Sequence, residues 1–217
     1  LHGYIVIVLA SILWGTMGIL AKLSYVYGIH PETLIALRLV IGFATLFPIV
    51  VVFSRESLKI WKEDVPFFLL LGVFAVAFQR VTYFYAINLT TVTMAAILFY
   101  TYPVFVNILA WFFLRERMSF RGLFAIFLTF LGVALVVRVY DASSLSVNLV
   151  GIIFGLTASL LFVLYFFTTR RLRNRYTSWT PTLYGEGIGM LALTPIIFSS
   201  ISQIAEFPSQ LWLLILI

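Results

Sequence analysis

Cysteine is absent from this chain of 217 residues, and charged side chains are scarce. Without cysteine there is no disulfide framework, no thiolate metal site and no cysteine nucleophile. Asp, Glu, Lys and Arg make up only 10% of the residues, whereas a soluble domain carries roughly a quarter. So little charge does not cover a surface that faces water, and the composition therefore excludes an ordinary soluble domain.

Catalytic and cofactor-binding motifs are missing as well. The sequence has no Gly-x-Ser-x-Gly elbow, no His-Glu-x-x-His helix, no phosphate-binding loop and no aspartate-rich metal motif. Its two histidines, His2 and His30, lie at the amino terminus and in a predicted connection. The seventh apolar stretch lacks the lysine that a retinal Schiff base needs. We therefore expect no enzyme, no cofactor, no metal and no retinal photoreceptor.

Long apolar runs dominate what remains, since 63% of the residues are hydrophobic and the mean hydropathy is +1.11. A helix needs about 20 residues to cross a bilayer, and seven stretches reach or approach that length. An eighth begins at Gln210. The predicted fold class is an all-α polytopic membrane protein whose spans lie near residues 4–24, 32–53, 66–87, 91–114, 120–139, 149–169 and 179–198.

The positive charge of the chain, +6 at neutral pH, lies mostly in three short connections between the apolar runs. Cytoplasmic connections of membrane proteins are enriched in Lys and Arg, so this pattern predicts a cytoplasmic amino terminus in a plasma or inner membrane. It leaves no basic surface that would indicate a nucleic-acid partner. The connections are 54–65, 115–121 and 170–178, with Arg55, Lys59, Lys62, Arg115, Arg117, Arg121, Arg170, Arg171, Arg173 and Arg175; Lys22 and Arg138 lie at predicted outer helix ends.

An internal repeat appears when the chain is aligned with itself at an offset of about 148 residues. Residues 10–14 (Ala-Ser-Ile-Leu-Trp) then face residues 158–162 (Ala-Ser-Leu-Leu-Phe), and Lys22 faces Arg170. A second match, at an offset one residue smaller, aligns Ile41, Gly42, Leu46 and Pro48 with Ile188, Gly189, Leu193 and Pro195.

The repeated unit holds five spans, and because five is odd, its second copy enters the membrane from the opposite side. We expect an inverted repeat with a first five-helix unit at 1–140 and a second unit at 149–217 that contains two spans and the start of a third. A complete second unit would give a ten-span protein of about 290 residues.

Several residues, taken in order, resemble the EamA-type unit of the drug/metabolite transporter superfamily. They are Trp14-Gly15, Lys22, Arg38, residues 83–86, Pro103, Glu116-Arg117, Gly122 and Gly132. The resemblance covers the first 140 residues well and the next 60 more weakly. It implies a ten-span carrier of two inverted five-span units that exports amino acids or other small metabolites.

Charged residues inside the spans cost on the order of 3 kcal/mol each at mid-membrane, so each needs a reason. Lys22 is close enough to the end of its helix to extend its amine to the interface. Arg38 and Arg80 lie at nearly the same depth, about 9 and 10 Å below the outer boundary by helical rise. Arg38 could extend outward and pair with Glu32, or the two guanidinium groups could form a site for a carboxylate or phosphate.

Glu186 lies seven residues inside its span, where its short side chain does not reach the surface. The flanking Gly185, Gly187 and Gly189 leave room for a neighbouring helix or a ligand. Two interpretations stay open: an internal ion pair with an arginine that holds the bundle, or a carboxylate that binds a substrate amine or a proton in alternation.

Polar and aromatic residues complete the predicted site. In the fourth span Thr93, Ala96, Tyr100, Pro103 and Asn107 recur at helical spacing and favour a face toward protein or a cavity. Gln79 and Tyr83 lie within one turn of Arg80, and Trp14 could line the cavity wall. Proline frees a carbonyl within a helix and permits bending, so Pro48, Pro103 and Pro195 are candidate hinges.

Taken together, these residues predict a carrier that works by alternating access on a small metabolite or amino acid. Arg80 would hold its anionic group, Glu186 an amine or a proton, and the site would also include Gln79, Tyr83, Tyr100, Trp14, Arg38 and Asn107. The alternative is a helical membrane scaffold or assembly partner that transports nothing and whose internal charges only pair with each other. Besides the substrate, the expected partners are the lipid bilayer and possible coupling protons.

Overall fold

A computed structural model describes residues 2–114, 120–137 and 149–216, and within these ranges the chain is helical with no strand. Arg115, Glu116, Arg117 and Arg138, which contributed to the orientation and the resemblance, lie outside the described residues. The α-helices and the π-helical segment, in chain order, are α1 (His2–Tyr25), α2 (Pro31–Phe53), α3 (Val65–Leu69), a π-helical segment (Leu70–Phe78), α4 (Gln79–Leu89), α5 (Val92–Phe99), α6 (Tyr102–Leu114), α7 (Phe120–Val137), α8 (Leu149–Leu172), α9 (Trp179–Ser199), α10 (Ile201–Ala205) and α11 (Ser209–Leu216).

Six helical segments of the described chain are long and apolar enough to cross a membrane. They coincide with the first four predicted spans and with those at 149–169 and 179–198. The predicted span at 120–139 coincides with α7, where the apolar stretch that qualifies is shorter, Gly122–Gly132. The predicted eighth span begins in α11. The protein is therefore a multi-pass helical membrane protein, with six of the seven expected full spans found by length and hydropathy.

The third span lies at the centre of the bundle and is more buried than the other five. It runs without interruption from α3 through the π-helical segment into α4, with Pro66 in its first turn, where a missing N–H costs nothing. The π-helical segment and α4 both pack against α8, and the π-helical segment also packs against α9. This central span therefore carries its polar residues, Gln79 and Arg80, into the interior of the bundle.

The fourth span is two helices rather than one. α5 begins at the N-cap Thr91, whose hydroxyl accepts a hydrogen bond from the Met94 N–H at 3.1 Å, and it ends at Phe99. At the break, the Thr101 hydroxyl shares a buried hydrogen bond of 2.9 Å with the hydroxyl of Ser159, which lies on α8. Pro103 follows in the first turn of α6, so the predicted continuous polar stripe is interrupted there.

α2 and α9 pack against each other in opposite directions. Near the start of α2, the Thr33 hydroxyl lies 3.3 Å from that of Ser200, at the end of α9. In the middle, Glu186 approaches Gly42. Beyond the end of α2, the Ser57 hydroxyl lies 2.8 Å from that of Thr177, just before α9. These contacts place the connections at 54–64 and 173–178 together at one end of the bundle, called here the basic end.

Hydrogen bonds at the basic end centre on a buried carboxylate. Asp64 is 4% exposed, and it accepts hydrogen bonds from Arg175 at 3.2 Å and from the Tyr176 hydroxyl at 2.9 Å. Burial raises the pKa of Tyr176, so its hydroxyl keeps the proton that it donates. The Tyr176 hydroxyl oxygen also accepts a hydrogen bond of 2.9 Å from the backbone N–H of Trp61. The two connections are thus held together by a network that the sequence did not indicate.

Candidate substrate site

An ion pair between Arg80 and Glu186 lies inside the bundle and joins the third span to α9. The guanidinium donates two hydrogen bonds to the carboxylate, from Nη1 to Oε2 at 2.8 Å and from Nη2 to Oε1. The Glu186 side chain is 15% exposed and that of Arg80 is 35% exposed. Parallel bonds of this kind fix orientation as well as charge. The structure thus contains the internal pair that the sequence allowed for Glu186.

Glycines around Glu186 explain how α9 comes close enough to make this pair. A Cβ atom on Gly187 would lie 2.7 Å from the Phe43 ring, and one on Gly189 would lie 3.2 Å from the Gly72 carbonyl oxygen. Across from the carboxylate, the Cβ position of Gly42 lies 3.6 Å from Glu186 Oε2. Small residues at such crossings let membrane helices approach through their backbones. The alternating glycines predicted close approach, and the structure confirms it.

Arg38 is placed differently from what its pairing with Glu32 would require. Its Nη1 atom is buried without a hydrogen-bond partner in the part of the chain that the structure describes. The Glu32 carboxylate instead accepts a hydrogen bond of 2.5 Å from the Tyr85 hydroxyl. The guanidinium of Arg38 lies within electrostatic range of Arg80, as expected from their shared depth. The described residues contain no ion pair between Arg38 and Glu32, and an anion site formed by Arg38 and Arg80 stays a prediction.

Aromatic and amide side chains line the neighbourhood of the pair. Tyr165, on α8, lies within electrostatic range of both Arg80 and Glu186, and no sequence pattern had indicated this residue. Gln79 is buried, at 7% exposure. The Tyr83 ring packs against Phe99 with centroids 5.0 Å apart. Gln79 and Tyr83 thus lie in the packed part of the bundle, and their role in a substrate site stays a prediction.

Three other predicted site residues lie on exposed faces of the described structure. Trp14 is 64% exposed and Tyr100 is 61% exposed. Asn107 is exposed too, and its side-chain amide donates a hydrogen bond of 2.8 Å to the Pro103 carbonyl of its own helix. The described residues therefore do not bring Trp14, Tyr100 or Asn107 together with the ion pair into one closed cavity.

The three candidate hinge prolines occupy two kinds of position. Pro48 and Pro195 lie inside α2 and α9, where each leaves a carbonyl four residues earlier without its helical donor. Pro103 lies in the first turn of α6 instead. The helix interruption predicted at Pro103 is thus present as the break at residues 100–101, just before the proline.

Lys22 extends to the end of its helix but binds the neighbouring span there. Its Nζ donates hydrogen bonds to the carbonyl oxygens of Ile87, Asn88 and Thr90 at 2.9, 3.1 and 3.1 Å. The last carbonyls of a helix have no partner within it, and a cation at that end also interacts favourably with the helix dipole. Lys22 thus caps the carboxyl end of α4.

An open cavity of about 460 Å³ lies at the basic end, between the last turns of α8 and the first turn of α9. Its lining, called here the vestibule, combines two arginines with hydroxyl groups and aromatic rings. The residues are Tyr165, Phe166, Thr169, Arg170, Arg173, Tyr176, Thr177, Ser178, Pro181 and Thr182. Tyr165 belongs both to this vestibule and to the surroundings of the ion pair.

Comparison with known proteins agrees with this architecture. An uncharacterized transporter of Archaeoglobus fulgidus is 31% identical over 199 residues, 89% of this chain and 66% of that protein. An uncharacterized transporter of Clostridium kluyveri is 27% identical over 196 residues, with 88% and 63% covered. Solute carrier family 35 member G1 of Mus musculus is 30% identical over 132 residues, 60% of this chain and 34% of that protein. The chain thus spans slightly less than two thirds of the length of the first two relatives.

No solved structure matches the chain. Residues 1–138 match the profile of the EamA-like transporter family, so the resemblance inferred from the sequence is confirmed. The relatives and the profile indicate a membrane transporter rather than an enzyme. This multi-pass helical chain belongs to the EamA-like transporter family.

Proposed function

We propose that the protein carries amino acids or other small metabolites across the cell membrane by alternating access between two inverted five-span units. Residues 1–140 form the first unit, and residues 149–217 form two spans and the start of a third of the second. Transport is outward, and the amino terminus is cytoplasmic, which places the basic end on the cytoplasmic side. The protein acts without a cofactor, and protons are the candidate coupling ion.

The antiparallel contact of α2 with α9 supports the inverted arrangement. These two helices correspond to each other under the offset of about 148 residues, and they run in opposite directions from the Thr33–Ser200 contact to the Ser57–Thr177 contact. The connection at 26–30 therefore lies opposite the basic end, whereas its counterpart at 173–178 lies at it. Equivalent connections at opposite ends are what two copies of an odd-numbered unit require.

The single observation that carries the proposal is the Arg80–Glu186 pair. It crosses from the first unit to the second inside the apolar bundle, so a ligand that competes for either charge acts on the contact between the units. A substrate carboxylate on Arg80 releases Glu186, and an amine or a proton on Glu186 releases Arg80. Gln79, Tyr83 and Tyr165 border the pair. Pro48 and Pro195 occupy corresponding positions in the two units and serve as hinges for their rocking motion.

A non-transporting scaffold is the second candidate, and the completed ion pair is the observation that favours it. In a scaffold, internal charges neutralise one another and hold the helices. Arg38 counts against this candidate, because its buried Nη1 has no partner among the described residues. A purely structural role does not explain a buried nitrogen without an acceptor.

Counterflow in proteoliposomes tests the proposal. The full-length protein is reconstituted, loaded with each member of an amino-acid panel, and supplied outside with the same compound in radioactive form. We expect accelerated uptake for at least one compound, and we expect Glu186→Gln to abolish it or its pH dependence.

The matched control is Glu56→Gln, because Glu56 is an exposed carboxylate in the connection at the basic end and should transport like the parent. Absence of counterflow for the whole panel would contradict a carrier of amino acids. Unchanged transport by Glu186→Gln would leave the carboxylate with a structural role alone.

A further inference from the structure

A buried guanidinium nitrogen without a hydrogen-bond acceptor among the described residues lies near the Arg80–Glu186 pair. Within the described residues, the Arg38 guanidinium has a buried Nη1 with no hydrogen-bond acceptor. Leaving a buried charged donor unsatisfied is more costly than leaving a neutral one unsatisfied, because the lost hydration is larger. A membrane protein that keeps an arginine in this position needs a compensating acceptor during its working cycle.

The carboxylates of Glu186 and Glu32 each accept hydrogen bonds from another side chain. The Glu186 carboxylate accepts both hydrogen bonds of the Arg80 fork, so those two charges cancel. The Glu32 carboxylate holds the Tyr85 hydroxyl. Neither carboxylate accepts a hydrogen bond from Arg38 Nη1 within the described residues. That buried donor is therefore available to an acceptor that the described residues do not supply.

The depth of Arg38 sets where a ligand group would bind. Arg38 lies on α2 one helical turn before Gly42, and the Cβ position of Gly42 faces Glu186 Oε2 at 3.6 Å. One turn corresponds to about 6 Å along the helix axis. A small molecule held at Arg38 thus lies next to the ion pair on the side away from the basic end, close enough to affect it.

We infer that the substrate of the proposed carrier is a small anion whose carboxylate or phosphoryl group is bound by the guanidinium of Arg38. This inference rests on the proposed function and moves the binding of the substrate anion from Arg80 to Arg38. The reason is that a protein carboxylate already binds Arg80, while Arg38 has a donor available. Both oxyanions accept parallel hydrogen bonds from the guanidinium fork, which a lysine ammonium does not supply.

Thermal stability of the purified full-length protein tests the inference. Unfolding midpoints are measured at constant ionic strength with acetate, succinate, phosphate and glycerol 3-phosphate, and with their uncharged counterparts acetamide, succinamide and glycerol. We expect at least one of the four anions to raise the midpoint in a saturable way and its uncharged counterpart not to do so. The carboxylate and phosphate arms then show which oxyanion the site takes.

Two substitutions at Arg38 assign the effect to that residue. Arg38→Gln should weaken the apparent affinity for the active anion by about tenfold or more, the range expected for a charge-assisted hydrogen bond. Arg38→Lys, which keeps the charge and loses the fork, should fall between Arg38→Gln and the parent. The matched control is Arg55→Gln at the basic end, where Arg55 Nε donates a hydrogen bond to the Val51 carbonyl near the end of α2, and this variant should bind like the parent.

The inference would be overturned by any of three results. These are equal stabilisation by charged and uncharged compounds, stabilisation by none of the anions, and an unchanged anion affinity in Arg38→Gln. If Arg38→Gln does not fold, the parent's response to charged against uncharged compounds alone decides. If a neutral or cationic compound shows counterflow while none of the anions stabilises the protein, this inference is wrong and the carrier function is still supported.

Discussion

Ser57 and Thr177 share a hydrogen bond of 2.8 Å between their hydroxyl oxygens, which ties the connection after α2 to the connection before α9. The sequence has no cysteine, so a pair introduced here reports on this contact alone. We expect the double variant Ser57→Cys/Thr177→Cys to form a disulfide under mild oxidation, because side-chain atoms this close suit disulfide geometry.

Gel mobility before and after reduction measures this bond, and each single-cysteine variant serves as the control. In the proposed carrier the oxidised protein should lose counterflow and regain it on reduction. A double variant that stays reduced would mean that the basic end is not closed in the membrane as the structure shows.

Arg55 and Tyr27 should face different compartments, because their connections lie at opposite ends of the bundle. We expect a cysteine in place of Arg55 and one in place of Arg173 to react with a membrane-impermeant maleimide from the same face, and Tyr27→Cys to react from the other. Labelling of intact and opened cells distinguishes the faces. Reaction of the Arg55 and Arg173 positions from different sides would refute the inverted arrangement.

Removing one partner of the Arg80–Glu186 pair should destabilise the protein more than removing both. Glu186→Gln leaves a guanidinium without its counter-ion inside the bundle, and we expect a loss of roughly 3 kcal/mol, at the lower end of the range for buried pairs, since Arg80 is 35% exposed. The double variant Arg80→Gln/Glu186→Gln should lose less than the two single losses combined.

A double-mutant cycle on thermal unfolding measures this coupling. The comparison pair is Glu63 and Arg175, 3.7 Å apart with side chains 80% and 55% exposed, and Glu63→Gln should leave the midpoint nearly unchanged because solvent screens such a pair. Additive effects at Arg80 and Glu186 would show that the two side chains do not interact in the membrane.

Lys22→Met should lower stability through the carboxyl end of α4. The substitution keeps the apolar stem and removes three hydrogen bonds to helix-terminal carbonyls, so we expect a loss of about 1.5 kcal/mol. Hydrogen exchange at the amides of α4's last turn should rise together with it. The exposed Lys59 provides the control, Lys59→Met, which should change neither quantity; equal effects at the two lysines would exclude the capping role.

Gly72→Ala and Gly15→Ala should have different effects although both residues lie inside spans. An added Cβ at Gly72 would lie 2.4 Å from the Ile188 Cβ, while at Gly15 nothing lies within 4 Å. Overpacking of this kind costs about 1–3 kcal/mol, so the unfolding midpoint of Gly72→Ala should fall clearly. That of Gly15→Ala should stay or rise slightly, since alanine favours the helix. Similar midpoints for both variants would contradict the close crossing.

The sequence predicted the spans because twenty-residue apolar runs have few alternatives in a bilayer. It left two interpretations of Glu186 open, an ion pair with an arginine or a carboxylate that binds a substrate amine or a proton, and the structure contains the ion pair. The sequence did not decide between Arg38 and Arg80 as the partner of Glu186. Depth along a helix follows from residue number, but the direction around the axis depends on the winding, and the π-helical segment Leu70–Phe78 changes the winding just before Arg80.

Two other features depended on contacts that a single sequence does not contain. The break at residues 100–101 is accompanied by the buried hydrogen bond of Thr101 with Ser159, 58 positions later in the chain. The Asp64 network at the basic end joins two connections whose residues look like ordinary positive-inside charges. The cavity roles of Trp14, Tyr100 and Asn107 and the hinge roles of the prolines remain predictions.

The crossing of the third span with α9 brings backbone against backbone, since the Cβ position of Gly189 lies 3.2 Å from the Gly72 carbonyl oxygen. At the same crossing the Ile188 side chain lies directly over Gly72 and fills the space that the glycine leaves. In the proposed carrier, a change in the angle between the two units therefore has to keep this tightly filled contact or separate it.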